Sequence, residues 1–160
     1  MTPEALLDIV HKIIEAAVYG FLITLDESGQ PNARVMQPFP PEADLTIWFG
    51  VSPHSRKVRE LRRDSRATVT FYDPAKIAYV ALAGSCQIVD DLEERRARWM
   101  EEWRLFFTAG PEGDDYALVR FTPERIEVMD FTRQVTPPPF GLAHTDLVRD
   151  GDGWRIAESG

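Results

Sequence analysis

Ser55, Arg56 and Lys57 stand side by side, just after Ser52-Pro53-His54, in a chain whose formal net charge is −8. The eleven positions from Arg56 to Arg66 hold six of its eighteen Lys and Arg residues. The chemistry open to such a run is anion binding. Ser52 with Pro53 makes a good N-cap and N1 pair, and Ser55 is a second candidate cap, so a short helix with free backbone N–H groups is expected to open here. Those donors, the positive end of the helix dipole and charge-assisted bonds from Arg56 and Lys57 suit a phosphate. Without an anion, cations in a first turn oppose the dipole by roughly a few tenths of a kcal/mol each. Val58 and Leu61 lie three apart and face a core, which leaves Arg59, Arg62 and Arg63 as an ordinary solvated face.

The remaining reactive side chains are sparse. Cys86 is the only cysteine, so no intrachain disulfide is possible; in a strand it reads as a small core hydrophobe. His11, His54 and His144 show no metal-ligand spacing, and no metal is expected. An acidic chain, with pI near 4.9, lacks the extended basic field that nucleic acid or an anionic membrane requires, because screening limits a small cluster to about 8–10 Å. Neither partner is expected. Glu4, Asp8, His11, Lys12 and Glu15 interrupt the first twenty residues, which therefore read as neither signal peptide nor membrane span. A cytoplasmic protein is the expectation.

The elements that must position the Ser-Arg-Lys run follow from period and turn chemistry. One domain is expected over residues 1–160. An N-terminal helix over 3–18 carries Leu6, Val10, Ile13, Ile14 and Ala17 on one face. A barrel follows over about 19–130, then a C-terminal tail over 131–160 that is irregular but ends in a closing hairpin at Leu147-Val148 and Trp154-Ile156. Within the barrel, Phe21–Leu25 and Pro31–Gln37 form a hairpin around a Gly29 turn, and Pro38-Phe39-Pro40-Pro41 breaks the sheet. Strands are expected at 45–51, 68–72 and 78–89, then at 116–121 and 125–130 on either side of a Thr122-Pro123 turn. A second helix over 92–106 has Trp99, Trp103 and Phe106 in one packing stripe, and a Pro-rich irregular loop is expected over 136–140. Six or seven short strands with inserted helices make a mainly β, α+β fold, most simply a small barrel.

This order of residues resembles the FMN-binding split-barrel proteins. It is similar to the pyridoxamine 5′-phosphate oxidase-like group, with the general stress protein branch nearest. The matching residues are Ala33-Arg34-Val35-Met36, Trp48-Phe49, the Ser55-Arg56-Lys57 loop, Val69-Thr70-Phe71 and Tyr79-Val80 through Gly84, over about three quarters of the chain. The resemblance implies a homodimeric split β-barrel with FMN at the subunit interface and a small-molecule substrate. It places Arg56 and Lys57, with Ser55 beside them, on the FMN phosphate. Arg34, Val35 and Met36 then lie along the isoalloxazine, the Trp48-Phe49 strand brings its backbone to the flavin, and Tyr79 reaches the cofactor as in some members.

The departures bear on activity. The C-terminal Arg-x-His pair of pyridoxamine phosphate oxidases is absent, and Met129 stands where they carry Trp, so pyridoxamine oxidation is not expected. Other readings stay open: a flavin-holding stress protein without turnover, or a split barrel loaded with haem or the deazaflavin F420. His144 either faces the flavin or is simply exposed.

Overall fold

The computed structural model describes residues 1–136 and 143–157. Helix α1 (Pro3–Ala17) starts where Thr2 Oγ1 accepts the Ala5 N–H at 3.1 Å, with proline in its first turn, and buries Leu6, Ile9, Val10, Ile13 and Ile14. It stops in a γ-turn: Val18 takes φ 66° and ψ −54° while the Tyr19 N–H reaches the Ala17 carbonyl at 2.7 Å. Period-2 patterning then takes over. Strands β1 (Gly20–Leu25), β2 (Pro31–Met36), β3 (Ile47–Val51), β4 (Arg66–Asp73), β5 (Ala78–Val89), β6 (Ala117–Asp130), β7 (Thr145–Asp150) and β8 (Gly153–Ile156) follow, with helix α2 (Arg56–Arg63) between β3 and β4 and α3 (Leu92–Arg98) after β5.

All pairings are antiparallel, in the order β2-β1-β4-β5-β6-β7-β8. The fourteen-residue β6 forks the sheet: Ala117–Phe121 pairs with β3, and Arg125–Val128 pairs with β7. Among the described residues β2 pairs only with β1 and β3 only with β6, so each leaves one edge open. The result is the expected α+β split barrel, of eight strands. Its interior holds Leu22, Phe49, Leu82, Phe121, Ile126 and Leu147, all fully buried. Trp48, Tyr116 and Leu118 form a second cluster, packed under Phe39, Trp99, Trp103 and Phe107.

Four expectations are corrected. Thr122-Pro123 is not a turn: β6 runs straight through it, because the register shift at Ala83/Gly84 accommodates the proline as a bulge and keeps the ladder going on both sides. The helix over 92–106 is broken. It ends at Arg98, Trp99 is extended, and a 3₁₀ turn (Glu101–Leu105) follows. That break turns Trp99, Trp103 and Phe107 onto the second cluster and leaves Phe106 76% exposed, so burial of large rings overrides helix propensity. The third expected strand starts at Ile47 rather than Leu45, whose φ of 68° belongs to a loop. Residues 145–156 are not irregular but a hairpin laid on β6, as the Leu147 and Trp154 pattern implied. The Pro-rich loop, beyond Thr136, lies outside the described residues.

Candidate functional site

The Ser-Arg-Lys loop leaves the barrel at the end of β3. Ser55, not Ser52-Pro53, is the N-cap of α2, yet its hydroxyl turns back to the Ser52 carbonyl at 2.8 Å and makes no cap bond to the helix. The first-turn N–H groups therefore keep no side-chain acceptor from Ser55. Arg56 is exposed, with its Nε 3.7 Å from Glu60. Lys57 is half-buried, and among the described residues its ammonium has no ion-pair partner. Burial, and then the charge of Arg34, hold its pKa below the usual lysine value. Arg59, Arg62 and Arg63 are exposed as expected, although Arg59 donates to the His54 carbonyl at 2.7 Å and Arg63 to the Leu25 carbonyl at 3.0 Å.

Beneath this loop lies a polar network that sequence reading missed. Glu60 is 4% exposed and accepts from Thr24 Oγ1 at 3.2 Å, Asn32 Nδ2 at 3.1 Å and Arg34 Nη2 at 3.4 Å. The signal was available: Glu60 is the one acid in an otherwise basic helix, wedged between the core positions Val58 and Leu61. A buried carboxylate needs such partners, and the alternation of β1 and β2 points Thr24, Asn32 and Arg34 at it. Arg34 is thus spent inward, its Nη1 also donating to Thr24 Oγ1 at 2.7 Å and the Leu22 carbonyl at 3.1 Å. Its pKa is lowered by burial first, with Glu60 opposing that shift and the Arg56 charge adding to it.

The other site residues divide by face. Met36 packs on the barrel core, while Val35, next along β2, is 59% exposed on the outer face. Phe49 is fully buried in the barrel, and Trp48 in the second cluster, where its Nε1 donates to Glu42 at 2.9 Å and Arg98 covers the ring at 3.8 Å. The Trp48 carbonyl accepts the Phe39 N–H at 3.0 Å, so the loop after β2 lies along that part of the β3 edge. Tyr79 stands opposite Tyr72 and Met129 on the outer face. It is not near Arg56, for its row lies at the end of the sheet away from Thr24. Its hydroxyl donates to Glu127 at 2.9 Å, and burial, then Glu127, push its pKa up to about 12.

Three groups with ligand chemistry meet where spacing gave no sign of it, because Glu127 lies on β6 and the other two at the start of β7. His144 holds Glu127 through Nε2 at 3.1 Å and Asp146 through Nδ1 at 2.9 Å. Tyr79 takes the second Glu127 oxygen and Arg125 pairs with Asp146, so the carboxylates already have partners. Cys86 is buried, as expected, and burial pushes its thiol up to about 12.

The family model described as pyridoxamine 5′-phosphate oxidase like matches residues 6–137. No curated protein matches the sequence. Among solved structures, the chain is similar to a Clostridium acetobutylicum protein related to general stress protein 26, at 22% identity and TM-score 0.72, covering 80% of this chain and 90% of that one. General stress protein 26 from Bacillus anthracis gives 19% identity and TM-score 0.67, over 78% and 93%. A pyridoxamine 5′-phosphate oxidase-related, FMN-binding protein from Nostoc punctiforme gives 14% identity and TM-score 0.69, over 97% and 94%. At these identities the structures speak to the fold.

Proposed function

The chain belongs to the pyridoxamine 5′-phosphate oxidase-like family, and from that premise we propose that it is an FMN-binding flavoprotein, an oxidoreductase acting on a small molecule. The observation that carries this reading is Lys57. A half-buried ammonium with no ion-pair partner among the described residues, close to Arg34 and next to Arg56, which share the single carboxylate of Glu60, makes the start of α2 net cationic and suited to an anion. A mononucleotide phosphate supplies that anion, with Arg56 and Lys57 as its charged partners and the Ser55 hydroxyl beside them.

The rest of the ligand fits the open edges. Among the described residues β2 and β3 each pair on one side only, and β2 alone spans about 17 Å at about 3.3 Å per residue. In this reading the Arg34-Val35-Met36 strand lies along the ring, and Trp48-Phe49 approaches it by backbone alone, since both side chains are buried and the Trp48 carbonyl already accepts from Phe39. Bound FMN would supply hydride and one-electron chemistry that no side chain here offers. The chain's own work is to hold the phosphate, line the ring and exclude water. Tyr79, on the outer face, reaches a flavin only across a subunit contact, which fits a homodimer.

The purified protein should be yellow or bind added FMN. Arg56→Ala with Lys57→Ala should lower FMN affinity by about 100-fold or more, since two charge-assisted contacts are lost, while the circular dichroism stays that of the wild type. Unchanged flavin retention in that variant would remove the site. Anaerobic bleaching of the flavin by NADH or NADPH marks turnover, and its absence marks a flavin-holding protein. Absorbance and mass of any copurifying molecule separate FMN from haem and F420.

A further inference from the structure

A hollow of about 460 Å³ opens between α1, the loop after β2 and the 3₁₀ turn, at the end of the sheet away from Arg56. Its walls are mostly apolar, with Phe39, Met100 and Trp103 on one side and Ile14 and Val18 on the other. Among the described residues the only ionisable groups lining it are His11 and Glu15, and it has no lysine or arginine. Its size and apolar lining, with a few polar groups, match a small-molecule site.

The hollow is held in shape. Trp103 packs its six-membered ring against Gly50 of β3, where an added Cβ would come within 2.6 Å of Cζ3. The Phe39 and Trp103 rings meet at 4.9 Å and 56°, and the Phe39 backbone is tied to Trp48. At the rim, the γ-turn keeps Val18, a β-branched residue that is 48% exposed, at positive φ. Backbone strain of this kind persists where the surroundings enforce it, and it concentrates at ligand sites.

We propose that this hollow binds a planar aromatic molecule bearing an amine or ammonium group, and discriminates against carboxylated or phosphorylated ones. The Phe39–Trp103 pair, partly exposed in the hollow's wall, offers aromatic surface to an aromatic body and to a cation, and Glu15 sets the sign of the charge preferred at the rim. An anionic ligand meets no lysine or arginine on these walls to replace its lost hydration. The site is built by one chain and needs neither a flavin nor a second subunit.

Calorimetric titration of the full chain with tryptamine and with indole-3-acetate tests the assignment. Tryptamine should bind about tenfold tighter or better, the scale of one charge contact near a surface. Glu15→Gln, a substitution at an exposed helix position, should bring the two ligands within about threefold, and Trp103→Ala should abolish the tryptamine heat. The proposal is overturned if tryptamine gives no binding at millimolar concentration, if indole-3-acetate binds as well, or if the preference survives Glu15→Gln. A parallel FMN titration reads the phosphate loop separately, so failure at either site is not mistaken for failure at the other.

Discussion

At the scale of single residues, the informative contrast is between Glu60 and Lys57, three apart on α2. Glu60 is buried and surrounded by donors, which stabilises the end of the barrel. Lys57 is half-buried, with the Arg34 charge acting on it and no ion pair among the described residues, which does not. A lysine whose folded pKa lies below its ordinary 10.5 costs stability at any pH where it is charged in both states. That cost fades as pH rises from the lowered folded value to 10.5, so this group makes the ligand-free chain gain stability as the medium becomes alkaline. Lys57→Met should therefore raise the thermal midpoint of the ligand-free protein near neutral pH, flatten that alkaline gain, and weaken FMN binding. A lower midpoint in the ligand-free variant would mean that Lys57 has a compensating partner and is not held ready for an anion. Residues kept at a cost to stability are characteristic of binding sites.

Among the elements, the β5–β6 ladder decides whether the barrel closes. Gly84 lies at its bulge, where a Cβ would overlap the Thr122 carbonyl oxygen and crowd the Pro123 backbone, neither of which can swing aside as a side chain can. Gly84→Ala should cost about 2 kcal/mol or more and lower the calorimetric midpoint by roughly 4–8 °C, whereas Gly29→Ala, with open space around it, should act only through its positive φ. Equal midpoints for wild type and Gly84→Ala would show that the bulge relaxes freely. This junction also marks the limit of what sequence alone makes legible. The α1 face, the first hairpin and β5 were readable because each follows one period over its whole length. β6 was not, since Pro123 looks like a break until its partner strand supplies a glycine opposite it. The 3₁₀ turn was hidden for the reverse reason: Arg95 to Phe106 has good helical propensity, and only the second apolar cluster, assembled from β3 and β6, pulls its rings out of register. In the site, the adjacent Ser55, Arg56 and Lys57 could be seen in the sequence. The Glu60 network and the Glu127–His144–Asp146 cluster could not, because their members meet only through strand pairing.

For the molecule as a whole, the outer face of the sheet is the feature that a lone chain leaves unexplained. Across β2, β1, β4, β5 and β6, the register sets Val35, Phe21, Thr70, Ala81 and Glu127 in one row. Phe21 is 50% exposed, Val35 59% and Tyr72 56%, all on that face. Exposed large apolar side chains sharing one sheet face point to an interaction surface, and a chain of net charge −8 needs an apolar patch for two copies to approach against their repulsion. Pairing through this face would bring the outer-face Tyr79 of one copy toward the cleft of the other, so that flavin retention and dimerisation stand or fall together. Phe21→Glu with Tyr72→Glu places two like charges at each copy's contact and alters no residue assigned to the flavin. Light scattering should then report a monomer with unchanged circular dichroism, and FMN should be lost although Arg56 and Lys57 remain. A wild-type chain that is monomeric at tens of micromolar yet holds FMN would confine the flavin site to one barrel, and Tyr79 would then have no part in it.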